Sequence, residues 1–175
     1  KTERETGGGR MEIRQLQEGD DISAIANILA LCWKEAYGNF IPRGYMDKMR
    51  TDRWEETFRQ RENRVYILWE EGRYCGVACA CMIREGDMAG WGEIVSLYVL
   101  PECWGRGYGK ALLRFAMQAL GEMGAGPYYL WVFQKNANAR RFYERQGFRA
   151  TGVQQVLEIG GANVTEEMYV LKEKR

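Results

Sequence analysis

Apolar positions along the chain change period several times, and each change marks an element. Residues Met11, Ile13 and Gln15 alternate with Glu12, Arg14 and Leu16, the two-residue period of an edge strand. Asp20 and Asp21 can cap a helix in which Ile22, Ile25, Ile28, Leu29 and Cys32 recur at helical spacing, ending near Tyr37-Gly38. Ile41-Pro42 opens a second helical stretch, with Tyr45, Met46, Met49, Trp54 and Phe58 along one stripe. Residues 65–69 and 74–83 read as strands joined at Glu71-Gly72, hence a hairpin. A strongly apolar strand over 93–100 follows Gly90-Trp91-Gly92 and stops at Pro101. Leu112, Leu113, Ala116, Met117 and Leu120 make an amphipathic helix that ends around Gly124-Ala125-Gly126-Pro127. A buried strand over 128–133, a helix from Asn136 or Asn138 through Phe142 and Tyr143, and a hairpin around Gly160-Gly161 complete the chain.

This order (strand, two helices, a run of strands, then helix, strand, helix and two strands) predicts one mixed α/β domain. Antiparallel hairpins surround a strand-helix-strand unit, and no repeat or linker divides it. Residues 1–10, polar and glycine-rich, are expected to be a flexible extension or remnant outside a domain spanning 11–175.

Composition narrows the chemistry. The formal net charge of the 175 residues is +1, so no global field recruits nucleic acid or an anionic membrane. No apolar run of about 18 residues spans a bilayer, and no basic start leads into an apolar signal segment. The five cysteines include no CxxC pair, which suits free thiols in a reducing cytoplasm. There is no histidine. Its absence removes every Ser-His or Cys-His nucleophile and every His-ligated metal, so no metal is expected. A general base must come from Glu, Asp, Tyr, Cys, Lys, a terminal amine or water.

Between the apolar strand and the amphipathic helix lies Trp104-Gly105-Arg106-Gly107-Tyr108-Gly109-Lys110. Glycines at alternate positions allow a curved row of backbone amides, and the helix start adds about half a positive charge. An anion, most simply a phosphate, fits there, although a tight connection alone would use the same residues. Two phosphate signatures fail. Ala111 follows Gly109-Lys110 where a Walker turn needs Ser or Thr, and Lys110 stands where the dinucleotide fingerprint needs its third glycine.

What the residues do resemble is the GCN5-related N-acetyltransferase (GNAT) superfamily. Val99-Leu100-Pro101-Glu102, the glycine turn and Lys110-Ala111-Leu112-Leu113 are similar to its motif A. Leu130-Trp131-Val132, Asn136, Ala139, Phe142-Tyr143-Glu144 and Gly147-Phe148 are similar to its motif B. Trp104 departs from the pattern, standing where the family usually has Gln or Arg, which puts a polar side-chain contact there in doubt.

The resemblance implies a mixed, mostly antiparallel sheet splayed between two parallel strands and flanked by about four helices. It implies an acetyl-CoA-dependent N-acetyltransferase acting on an amine, small molecule or peptide, by direct attack in a ternary complex. The turn from Trp104 through Gly105, Arg106, Gly107, Tyr108 and Gly109 to Lys110 would hold the cofactor phosphates. Tyr98 and Val99 would pair with the pantetheine arm, and Asn136, Ala139 and Tyr143 would line it. Arg106 is either a phosphate partner or a solvated arginine, and Asn136 a cofactor ligand, a helix cap or both. Tyr143 would be the general acid, unless it is aromatic core, and Glu93 the general base, unless it is a solvent-facing strand start. Trp33, Tyr37 and Tyr45 lie where the first helices would cover the acceptor groove. A homodimer is a further expectation from relatives. Two alternatives stand beside this: an acyl-CoA-binding module without transferase activity, and a plain nucleotide-binding module.

Overall fold

The computed structural model describes residues 2–6, 9–60 and 62–171. Eight strands form one sheet: β1 (Thr2–Thr6), β2 (Gly9–Gln15), β3 (Asn63–Glu70), β4 (Arg73–Met82), β5 (Gly92–Val99), β6 (Tyr128–Phe133), β7 (Arg149–Ile159) and β8 (Ala162–Leu171). Their order is β1-β2-β3-β4-β5-β6-β8-β7. Every neighbouring pair is antiparallel except β5 and β6. Five α-helices accompany it, α1 (Ile22–Tyr37), α2 (Arg43–Asp47), α3 (Asp52–Arg59), α4 (Tyr108–Glu122) and α5 (Ala137–Arg145), with a 3-10 turn at Pro101–Cys103. Among the described residues no helix is long and apolar enough to cross a membrane.

Both hairpin turns form where two residues can take positive φ, at Glu71-Gly72 (49° and 84°) and Gly160-Gly161 (60° and 83°). Such two-residue turns match the twist of the strands they join. Thr2–Thr6, expected outside the fold, runs antiparallel along β2, so β2 is not an edge strand. The stripe over residues 45–58 is two helices rather than one. Met46 and Tyr45 pack into a small cluster with Tyr37, Ile41, Phe133 and Ile159, while Trp54 and Phe58 pack into the main core. One straight helix could not serve both, and the chain breaks between them.

The main core lies on both faces of the central strands. Leu112, Leu113, Ala116 and Leu120 of α4 are fully buried on one face; truncating any of the leucines would cost about 2–5 kcal/mol. On the other face α1 buries Ile25, Ala26, Ile28 and Leu29. Asp21 caps α1, its side chain accepting from the Ala24 N–H at 2.9 Å.

Two irregularities shape the middle of the sheet. A bulge in β5 places Cys81 opposite Glu93 and Ala80 opposite Ile94, but Cys79 opposite Ser96, leaving Val95 unpaired. Opposed residues share a face, so this extra residue puts Glu93, Ser96 and Tyr98 together, although Glu93 and Tyr98 are an odd number of residues apart. The second irregularity is the parting of β5 from β6. They pair only at Gly92–Tyr128 and Glu93–Tyr129, and then diverge.

Candidate active site

The glycine turn fills the step from β5 to α4. Gly105 and Gly107 have φ of +75° and +78°, and a Cβ at either would meet nothing within 4 Å. Gly109 is different: its φ is helical, and a Cβ there would touch Phe142 at 3.5 Å. Gly107 is the N-cap of α4 in the left-handed conformation, without a side-chain cap. The first bond onto it comes from Ala111, whose N–H donates to Gly107 O at 3.0 Å. Among the described residues, the N–H groups of Gly105, Arg106, Gly107, Gly109 and Lys110 donate to no protein acceptor. A row of outward amides at a helix start suits an anion, and the exposed turn leaves room for one. The residues present therefore fit a phosphate group.

Two side chains of this turn are committed to one carboxylate. Arg106 donates both terminal nitrogens to Glu70, at 2.7 and 2.6 Å, and lies 4.6 Å from the centre of the Tyr108 ring. Tyr108 is buried and its hydroxyl donates to the same carboxylate. Glu70, at the end of β3, is 2% exposed and is the only charged residue buried as a whole among the described residues. Burial raises its pKa, but the hydrogen bonds from Tyr108 and Arg106 outweigh it and hold the carboxyl below its ordinary value. Arg106 thus commits its charge to a protein carboxylate, although its own side chain stays 43% exposed. Lys110 remains exposed. Trp104, 52% exposed, turns its indole N–H inward to the Val99 carbonyl at 2.7 Å.

That carbonyl defines the edge of the gap. Leu100 donates to Cys75 O on the β4 side, so strand alternation turns the backbone groups of Val99 and Leu97 toward β6 and those of Tyr98 toward β4. Of the two residues expected to offer backbone groups to a cofactor arm, Val99 faces the gap. Tyr98 offers its side chain instead, on the α1 face.

At the fork, side chains from α1, β5, β6 and α5 converge. The Tyr98 hydroxyl accepts from Trp33 Nε1 at 2.9 Å and lies 3.1 Å from the Tyr37 hydroxyl. Trp33 and Tyr37 meet edge-to-face at 5.0 Å, and Tyr37 meets Phe133 at 4.9 Å. Burial, followed by Tyr37 itself, raises Tyr98 well above an ordinary phenol. Burial also raises Tyr37, opposed by hydrogen bonds to Tyr98 and Asn136.

Tyr143, 8% exposed, packs against Phe142 and Phe148. Burial raises its pKa, and Tyr37 adds to the effect. No sealed side-chain oxygen lacks a partner among the described residues, so the Tyr143 hydroxyl, which makes no hydrogen bond, opens on accessible space. Asn136 caps α5, accepting from the Ala139 N–H at 3.1 Å. Tyr45 packs on Gly160 at the β7–β8 turn, against the cluster that also holds Tyr37 and Phe133, and its hydroxyl accepts from Arg53 at 3.2 Å.

Glu93 sits where the parallel pairing ends. Tyr129, its partner on β6, donates to Glu93 Oε2 at 2.8 Å, and Cys81 Sγ lies 3.9 Å from the same oxygen. Burial and this carboxylate push the Cys81 thiol up to about 11. A second carboxylate, Glu166 on β8, is raised by burial and by the charge of Glu93, with Gln155 opposing. Glu70, Tyr129 and Glu166 carry no local signature in the sequence; only strand pairing reveals them.

Comparison with known proteins agrees with this geometry. A family model described as "Acetyltransferase (GNAT) family" matches residues 23–148. An uncharacterized N-acetyltransferase, YuaI, of Bacillus subtilis is 28% identical over 119 residues, covering 67% of this chain and 69% of that one. Among curated relatives the aligned share of their own length runs from 69% down to 35%. The PaiA N-acetyltransferase of Thermoplasma acidophilum, solved in complex with coenzyme A, has a TM-score of 0.69 at 20% identity, over 90% of this chain and 97% of that one. YncA of Salmonella typhimurium, solved with acetyl-CoA, has a TM-score of 0.67 at 21% identity, over 94% and 95%. At these identities the two structures establish the likeness of fold.

Proposed function

Because the chain belongs to the acetyltransferase (GNAT) family, we propose that it moves an acetyl group from acetyl-CoA to an amine by direct attack in a ternary complex. The observation that carries this reading is the fork. β5 and β6 part after Glu93, with bare amides at one end of the gap and a buried, unbonded phenol beside it. The complexes of the two structural neighbours with coenzyme A and acetyl-CoA support the choice of donor.

Acetyl-CoA, when bound, supplies the activated thioester. The amides of Gly105, Arg106, Gly107, Gly109 and Lys110 hold its phosphates through hydrogen bonds and the helix dipole. The Val99 backbone edge receives the amide-rich arm as an added strand would, once the Trp104 indole leaves the carbonyl, which also accepts from the Cys32 thiol at 3.4 Å. Tyr143 keeps its proton at neutral pH, because burial raises its pKa, and so holds it at Oη for the departing thiolate. Glu93, oriented by the Tyr129 hydroxyl, takes a proton from the acceptor ammonium directly or through water. Trp33, Tyr37 and Tyr98 form the acceptor-side wall of the gap.

Calorimetry with CoA, ADP and pantetheine tests the donor. CoA should bind at least about tenfold more tightly than ADP, a difference of about 1.4 kcal/mol from the arm. Equal affinity would leave only a nucleotide-binding module. Thiol release from acetyl-CoA over a panel of amines then tests transfer: acceptor-dependent release is expected, and CoA binding without it would mark a binding module.

A further inference from the structure

Arg106 is the one arginine within the glycine turn, and the obvious reading gives its charge to a phosphate. The contacts point elsewhere. Its guanidinium grips Glu70 with two bonds, and Tyr108, on the other side of Gly107, donates its hydroxyl to the same carboxylate. Gly107 is left-handed, a conformation in which successive amides can form an anion-binding concavity. Two side chains flanking that residue are thus tied to one buried anchor at the end of a central strand. We propose that Glu70 is a positioning residue for the phosphate-binding turn, holding its amides outward through Arg106 and Tyr108, and that Arg106 acts through Glu70 rather than on the phosphate.

The inference rests on the donor reading above and has a distinctive sign. Glu70 places a negative charge beside an anion site, so on charge alone Glu70→Gln would tighten anion binding. As a positioning residue, its loss weakens binding instead. Calorimetry on the full chain with CoA, ADP and pantetheine distinguishes the two. Glu70→Gln is expected to weaken CoA and ADP about tenfold, as losing a charge-assisted anchor would, while pantetheine, which lacks phosphate, keeps its affinity. Arg106→Gln should weaken both phosphorylated ligands to a similar extent, and the double variant should be no weaker than either single one, because the shared contact is lost once.

Unchanged or tighter CoA binding by Glu70→Gln overturns the proposal. So does a loss confined to Arg106→Gln, which would put the guanidinium on the phosphate. Should Glu70→Gln fail to fold, Tyr108→Phe removes one bond from the same carboxylate and should weaken CoA measurably; unaltered affinity there also overturns it. Backbone relaxation of amides 105–110 in the ligand-free protein gives a second readout. Order parameters near the rigid value of about 0.85 should fall in Glu70→Gln, and no change would count against Glu70. This readout stands even if the wild-type protein binds no CoA, a result that would overturn the donor reading instead.

Discussion

The two ends of the β5–β6 gap are built from different material. At the glycine turn the groups left without a protein acceptor belong to the main chain, while the side chains of Arg106 and Tyr108 bond Glu70. At the fork the reverse holds: the chemistry on offer is the Tyr143 hydroxyl and the Glu93 carboxylate, held by side chains from β6 and α5. A backbone device recognises what every donor of one class shares. A side-chain device can be altered residue by residue, and on the proposed reading it is the end that meets the acceptor.

Tyr143→Phe should separate the two ends most sharply. Turnover is expected to fall about 100-fold or more, within the range of general acid catalysis, with CoA affinity kept within about twofold. Steady-state rates and calorimetry on one preparation would show it, and an unchanged rate with chemistry limiting would take Tyr143 out of the reaction.

Gly107→Ala attacks the other end. A Cβ finds open space but must sit at φ +78°, a strain of about 1–2 kcal/mol, so CoA should weaken about tenfold with kcat little changed. Gly109→Ala is its comparator. With helical φ and ordinary contact to Phe142, it should bind CoA as the wild type does and gain up to about 1 kcal/mol of stability.

A smaller effect is expected from Tyr98→Phe. The Trp33 indole and the Tyr37 hydroxyl lose their shared partner, which should cost about 1 kcal/mol in urea unfolding and leave CoA affinity intact. A matching loss of CoA affinity would show that the two ends are not separable.

Asp20 supplies a baseline remote from both. The hydrogen bonds from Arg14, two at 2.7 Å, lower its pKa to about 2, against burial and with help from the Gln17 N–H and Tyr74. A depressed carboxylate stabilises the fold above its unfolded value of about 4, and the gain is lost as pH falls through about 2. Asp20→Asn should therefore flatten the pH dependence of stability in that window. The effect should be on the order of 1 kcal/mol after solvent screening, with CoA binding at neutral pH untouched.

How much of this was legible beforehand follows from range. The glycine turn, the α4 stripe, the caps at Asp21 and Asn136 and both hairpin turns are local patterns, and each stands where its spacing implies. The helical stripe through residues 45–58 misled, because its residues divide between two clusters that only the folded chain separates. Arg106 was readable as a cation beside a phosphate turn, yet its partner lies 36 residues away on β3.

By itself, then, the sequence determined most of the elements, the glycine turn and, through two motif blocks, the family. Those features rest on backbone dihedrals, periodicity and hydrogen bonds between near neighbours, which are set by residues close along the chain. Tertiary structure alone decided which groups share a face. The single extra residue at Val95 brings Glu93 round to the side of Tyr98, and a two-residue period makes every such assignment depend on register. Burial of Glu70 was decided the same way, by the strands and turn that close around it rather than by its neighbours in sequence.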